Sequence, residues 1–143
     1  MNITIINGPN LNMLGKREKE HYGDFSYKDL LDNVKKHAAN RSVGLDVFQS
    51  NHEGEIVSKI QTSDTDYFIV NAGAYTHTSI AVRDALAAVR KPFLEVHISN
   101  IYTREHFRHS SFLSDIAEGV ICGLGIYSYI AAIDYFVHKY SSV

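Results

Sequence analysis

Apolar and polar positions along the chain fall into two alternating kinds of segment. Five short runs are rich in β-branched and aromatic residues and are bounded by turn formers: ITIIN (3–7), LDVFQ (45–49), DYFIVNA (66–72), PFLEVHI (92–98) and GVICGLG (119–125). Such runs predict strands. The first, third and fifth are nearly continuous in apolar character, the expectation for a parallel sheet covered on both faces. Between the runs, apolar residues recur at helical spacing. SYKDLLDNVKKHAAN places Tyr27, Leu30, Leu31, Val34 and Ala38 on one stripe behind a Ser26 cap. EGEIVSKIQ groups Ile56, Val57 and Ile60. TSIAVRDALAAVR predicts an amphipathic helix that stops at Lys91-Pro92, because proline disfavours helix in the residue before it. YSYIAAIDYFVHKY is a last, strongly aromatic helix. GKREKEHYG (15–23), by contrast, reads as a solvated, mobile loop with a glycine at each end.

Strict β-α alternation predicts an α/β fold: three layers, a five-stranded parallel sheet and right-handed crossovers. With five strands, a flavodoxin-like order of 2-1-3-4-5 fits better than a full dinucleotide-binding sheet. In such sheets ligands bind outside the carboxyl ends of the strands, near the switch point between strands 1 and 3. A length of 143 residues, without repeats, linkers or low-complexity tracts, predicts a single domain over 1–143.

Composition narrows the function classes. A net charge of −2 without a basic stripe argues against nucleic acid as a partner. No run approaches the roughly 20 apolar residues of a spanning helix, and the amino end lacks the basic and apolar regions of a signal peptide. The lone Cys122 excludes an internal disulfide and suits a reducing cytoplasm; in VICGLG it reads as a small buried hydrophobe.

The carboxyl ends of strands 1, 3 and 4 lead into NGPNLN, NAGAYTHTS and VHISNIYTREHFRHSS. These segments and the 15–23 loop gather Asn7, Asn10, Asn12, Arg17, Tyr22, Asn71, His77, His97, Ser99, Asn100, Arg104 and Arg108. The turn after strand 1 lacks G-x-G-x-x-G and sets the rigid Pro9 where backbone amides would have to converge on phosphate. GKRE has no Ser or Thr after its Gly-Lys, so it is no Walker loop. His106 and His109 are three apart, but H-E-x-x-H is absent and a zinc site needs three or four ligands, so no metal is expected. No G-x-S-x-G elbow is present, and the lysines lie in polar loops or on helix faces rather than desolvated. What is left is acid–base chemistry on an anionic, hydroxylated small molecule. A non-catalytic flavodoxin-like ligand-binding module is the alternative, although Asn-Gly-Pro-Asn is a poor phosphate cradle for a flavin.

NGPNLNMLGKREKEHYG, NAGAYTHTSIAVRDAL, EVHISN and REHFRHSS resemble, in order and spacing, the signature segments of type II 3-dehydroquinate dehydratase. The resemblance runs from Ile3 to about Ile133. It implies a flavodoxin-like fold and reversible anti dehydration of 3-dehydroquinate to 3-dehydroshikimate through an enolate. The pathway implied is the shikimate route to aromatic amino acids, with neither metal nor organic cofactor. Position by position, it implies Tyr22 as the base and His97 as the general acid. Arg17 matches the loop arginine that stabilises the charged intermediate, and Asn12 the residue that holds a water against the enolate oxygen. Asn71, His77, Ile98, Ser99 and Arg108 match substrate contacts, and Asp84 a contact made in a neighbouring subunit's site. Glu95 and Asn10 are expected in support. The assembly implied is a homododecamer, a tetramer of trimers. Two positions depart from the family pattern: Lys19 stands where proline is common, and Ser110 where a second histidine is common.

Elementary chemistry bears on these roles. A free phenol ionises near pH 10, so Tyr22 needs a nearby positive charge to serve as a base. On this reading Arg17 must lie close to Tyr22, with the loop closed over the site. From the residues alone, His77 serves equally as a cap for a helix starting near Thr78, Asp84 as an exposed helix residue, and Asn100 as support or contact.

Overall fold

The computed structural model describes residues 1–16 and 19–141. Five strands, β1 (Asn2–Asn7), β2 (Gly44–Gln49), β3 (Tyr67–Asn71), β4 (Phe93–His97) and β5 (Gly119–Cys122), form one parallel sheet of order β2-β1-β3-β4-β5. The helices are α1 (Lys19–Tyr22), α2 (Tyr27–Asn40), α3 (Glu53–Thr62), α4 (Ile80–Val89) and α5 (Tyr127–Tyr140). Alternating residues of each central strand feed opposite faces. Ile3 and Ile5 join Leu30 and Val34 of α2 and Ile133 and Phe136 of α5 in one core. Ile6, Phe68 and Val70 join Ile56 and Ile60 of α3 and Val82 and Leu86 of α4 in the other. The result is the three-layer flavodoxin-like arrangement that the pattern predicts.

The caps show why the helices start where they do. Ser26 Oγ accepts from Asp29 N–H while the Asp29 carboxylate accepts from Ser26 N–H, a reciprocal box that satisfies two otherwise orphaned donors. Ser79 Oγ accepts from Val82 N–H, so α4 begins at Ile80, two residues after the sequence expectation. The segment before it, Gly73–His77, is a 3-10 helix that ends at His77, so the α4 cap belongs to Ser79 and not to His77. Arg90, in the left-handed conformation (φ 55°), ends α4 ahead of Pro92.

Two expectations need correction. Residues 19–22 of the expected loop form a helical turn, and it delivers Tyr22 to the interior, only 8% exposed. β5 is not covered on both faces: Val120 is 45% exposed and Cys122 half-buried. Among the described residues the edge strand β5 pairs only with β4; Ile121 packs toward the α5 core, while the Val120 side chain is left exposed.

Candidate active site

At the switch point β1 and β3 end level with each other, Asn7 beside Asn71. The chain then turns outward through two glycines that cannot be replaced without displacement. A Cβ on Gly8 would sit 2.2 Å from the Ala72 carbonyl oxygen, and Gly73 takes φ +58° against Pro9. Gly8 N–H donates to the Asn71 carbonyl at 2.8 Å, which joins the two loops. Asn10, also left-handed (φ 68°), is steadied by its N–H on Asn51 Oδ1 at 3.0 Å. Gln49, at the end of β2, donates to the Gly8 carbonyl and to the side chains of Asn12 and Asn51.

These turns, the end of β4 and the segments after it enclose a cavity lined by Asn10, Tyr22, Asn71, His77, His97, Ile98, Ser99, Arg104 and Arg108, among others. His97 is the last residue of β4. Its Nε2–H donates to Glu95 Oε2 at 2.6 Å, which leaves Nδ1 as the nitrogen available to a ligand. Glu95, two residues earlier and so on the same face of the strand, is fully buried. Burial alone would raise its carboxyl. The bonds from His97, Ser114 and Ser111 outweigh that and hold it below its ordinary value, ionised behind the imidazole.

His77 Nδ1–H donates to the Ser110 carbonyl at 2.7 Å, and its ring stacks on that of His97 with centroids 6.3 Å apart. Burial, with the neighbouring His97 and Arg108, pushes the His77 imidazolium below its ordinary range despite the Ser110 carbonyl, so it is neutral near pH 7. Tyr22 lines the same cavity. Arg104 donates from Nη1 to the Tyr22 hydroxyl at 2.6 Å, and the guanidinium lies 5.1 Å from the ring centroid. Arg108 reaches the cavity while its Nε–H pairs with Glu105.

The fold thus brings Tyr22, Asn71, His77, His97, Ile98, Ser99, Arg108 and Asn10 to one cavity, with Glu95 directly behind. Asn12 is not among the lining residues. It is exposed in the 3-10 turn Leu11–Met13 at the rim, its amide oxygen accepting from Gln49. Asp84 is exposed on α4 and does not line this cavity. Arg17 lies outside the described residues, as does its expected approach to Tyr22. Among the described residues, Arg104 sets a positive charge on Tyr22; it is a residue that the strand-end pattern collects but to which it assigns no role. Asn100 caps the turn Ile101–Thr103 by accepting from Tyr102 N–H. Among the described residues no group of three His, Cys, Asp or Glu side chains is placed to hold a metal.

The comparisons with known proteins point one way. The family described as "Dehydroquinase class II" matches residues 1–137. A 3-dehydroquinate dehydratase of Francisella philomiragia is 55% identical over 133 residues, 93% of this chain and 92% of that protein. A protein of Neosartorya fischeri named catabolic 3-dehydroquinase 2 is 55% identical over 139 residues, 96% of this chain and 93% of that one. The crystal structure of the type II dehydroquinase of Butyrivibrio crossotus superposes with a TM-score of 0.92 at 47% identity, covering 94% of this chain and 96% of its own. With so much of its length matched at such identity, the chain belongs to the class II dehydroquinase family.

Proposed function

We propose that this chain, acting as one catalytic domain over 1–143, is a hydro-lyase: it dehydrates 3-dehydroquinate to 3-dehydroshikimate, reversibly and by anti elimination. The observation that carries the reading is that Tyr22 and His97 line one cavity and each is hydrogen-bonded to a charged partner, Arg104 and Glu95 respectively. Tyr22, as the phenolate, takes a proton from the carbon next to the ketone. The C–H electrons move onto the ketone oxygen, giving an enolate. When the enolate collapses, a new C=C bond forms and the hydroxyl on the neighbouring carbon departs. His97, as the imidazolium, protonates that oxygen through Nδ1, and water leaves. Arg104 sets a positive charge against the oxygen that must be negative at the start, and Glu95 does the converse for the imidazolium.

Asn71, His77, Ser99, the backbone at Ile98 and Arg108 contact the substrate's carboxylate and hydroxyls. Asn12, at the rim, holds a water against the enolate oxygen, and Arg17 stabilises the charged intermediate. Asp84, exposed and remote from its own cavity, reaches a neighbouring subunit's site in a homododecamer built as a tetramer of trimers. The exposed Tyr102, Phe107 and Phe112, in the chain between β4 and β5, favour such an assembly, since large apolar side chains gain from being covered. A sizing column giving the monomer mass would remove both the assembly and the Asp84 role. Among the described residues no helix is long and apolar enough to cross a membrane; with a single cysteine, a cytoplasmic enzyme of the shikimate pathway is the proposal. No cofactor enters this reading.

The test is ultraviolet absorbance after 3-dehydroquinate is added: the conjugated enone product absorbs and the substrate does not. A rise is expected, undiminished by chelator or by borohydride. Folded protein that gives no rise would instead support a non-catalytic binding module.

A further inference from the structure

A line of buried polar groups runs from the cavity wall into the α5 layer. Asn71 Oδ1 accepts from Gly73 N–H at 3.3 Å. Because a backbone N–H can only donate, this contact sets the orientation of the amide, oxygen toward Gly73 and nitrogen away from it. Asn71 Nδ2 then donates to the Tyr129 hydroxyl at 2.8 Å. Tyr129 donates in turn to Asn7 Oδ1 at 2.7 Å, and Asn7 Nδ2 donates to the Tyr27 hydroxyl at 3.2 Å. Tyr129 and Asn7 are fully buried, and Asn71 is 3% exposed.

Direction along this line is fixed by chemistry. Burial pushes the Tyr129 phenol far up, so it keeps its proton and has one to give. Asn7 Oδ1 takes it, and the hydroxyl is left to Asn71 as an acceptor. One Nδ2–H of Asn71 is thereby used. The second has no hydrogen-bond partner among the described residues, on a side chain that lines the cavity. An all-apolar residue at 129 would fill the same α5 core without burying a hydroxyl; a buried hydroxyl is tolerated when it is fully bonded, as here.

We propose that Tyr129 is a positioning residue for substrate binding: its hydroxyl holds the Asn71 amide so that one N–H points at an anionic or hydroxyl oxygen of the substrate. This rests on the dehydratase reading, in which Asn71 contacts substrate. Tyr129 touches neither substrate nor the reacting atoms. Its effect falls on binding in ground and transition states alike, and so on KM more than on kcat.

The experiment is steady-state kinetics with 3-dehydroquinate on wild type, Tyr129→Phe, Asn71→Ala and the double variant. Tyr129→Phe keeps the ring and removes only the hydroxyl. KM is expected to rise about tenfold, with kcat within about twofold, the size of one lost hydrogen bond. In the double variant kcat/KM should equal that of Asn71→Ala alone, because the hydroxyl acts only through that amide. A purely structural tyrosine would leave KM unchanged and add its effect to that of Asn71→Ala; either result overturns the proposal. Should Tyr129→Phe not fold, Asn7→Ala decides. It frees the hydroxyl to donate to Asn71 and turn the amide over, and an unchanged KM there is equally fatal. A crystal structure with substrate in which Asn71 presents its oxygen to the ligand also overturns it. Wild type without turnover removes the dehydratase reading and this role together, whereas active wild type with an unaffected Tyr129→Phe removes this role alone.

Discussion

His97 stands on β4, in which every residue is buried, and is tied to Glu95 two residues before it on the same strand. Tyr22 stands on a four-residue helix, and its hydroxyl is tied to Arg104, 82 residues further along the chain. The proposed acid is therefore aimed by the sheet itself, through a bond local in sequence. The proposed base is aimed by its packing against the α2–α5 core and, among the described residues, by a polar contact that reaches far along the chain. A sheet end gives one geometry at no further entropic cost, whereas a turn docked by a remote guanidinium has an opening equilibrium of its own. Rigid delivery suits the group that must meet a departing hydroxyl; separable delivery suits the side on which substrate has to enter.

The largest effects should come from removing the two groups themselves. Tyr22→Phe and His97→Ala are each expected to lower kcat by about 10³-fold or more, the upper part of the range for positioned acid–base groups, with circular dichroism unchanged. If either variant keeps kcat within tenfold, the two-sided assignment fails. Next, Arg104→Ala should lower kcat by about 10²-fold, in line with loss of one charged donor at a developing anion. Arg104→Lys should recover roughly a tenth of wild-type activity, since it keeps the charge but not the planar fork. Equal loss in both would mean that Arg104 acts by packing rather than by charge.

A smaller effect is expected at Glu95→Gln, which keeps the shape and loses the charge: kcat down about tenfold. The pH dependence of stability sharpens it. Glu95 is held below its ordinary value, so its contribution is complete above the unfolded carboxylate's pKa of about 4.3 and is lost as pH falls from there through the depressed value. Thermal melts of wild type should steepen in that acid window, and those of Glu95→Gln should be flatter; identical profiles would separate Glu95 from the acid limb. The smallest effect belongs to Ser26→Ala, which opens the capping box of α2. It should cost about 1 kcal/mol, or roughly 3–5 °C in Tm, and leave kcat in place. A fall in kcat would show that the Tyr22 turn depends on the helix that follows it.

Most of the sheet was legible in the sequence because its central strands are buried on both sides and therefore nearly free of polar interruptions. β5 misled for the same reason: four apolar letters do not say that an edge strand leaves a side chain such as Val120 exposed. His97 and Glu95 were legible as a period-two pair on a recognisable strand. Tyr22 could be named by resemblance, but its helical turn could not be seen, since four residues carry no period and their charges look like a loop. Arg104 was collected with the other strand-end residues, yet the stretch between β4 and β5 winds through short turns where spacing predicts no neighbour. Tyr129 hid within an aromatic stripe that reads as packing, and only its hydroxyl's partners distinguish it.

The hydrogen bond from Tyr129 to Asn7 joins residues 122 positions apart. Seen as a sequence of events during synthesis, this puts the completion of the cavity wall late. Asn7 and Asn71 leave the ribosome early and can pair their strands, but the hydroxyl that orients the Asn71 amide arrives with the final helix. A nascent chain halted before residue 129 would hold the two asparagines side by side with Asn71 Nδ2 and Asn7 Oδ1 lacking the hydroxyl that joins them. A chain halted after α5 has emerged would hold the finished wall. Translation order thus makes α5, the layer farthest from the chemistry in the chain's own count, the element whose docking turns a paired sheet into a binding site.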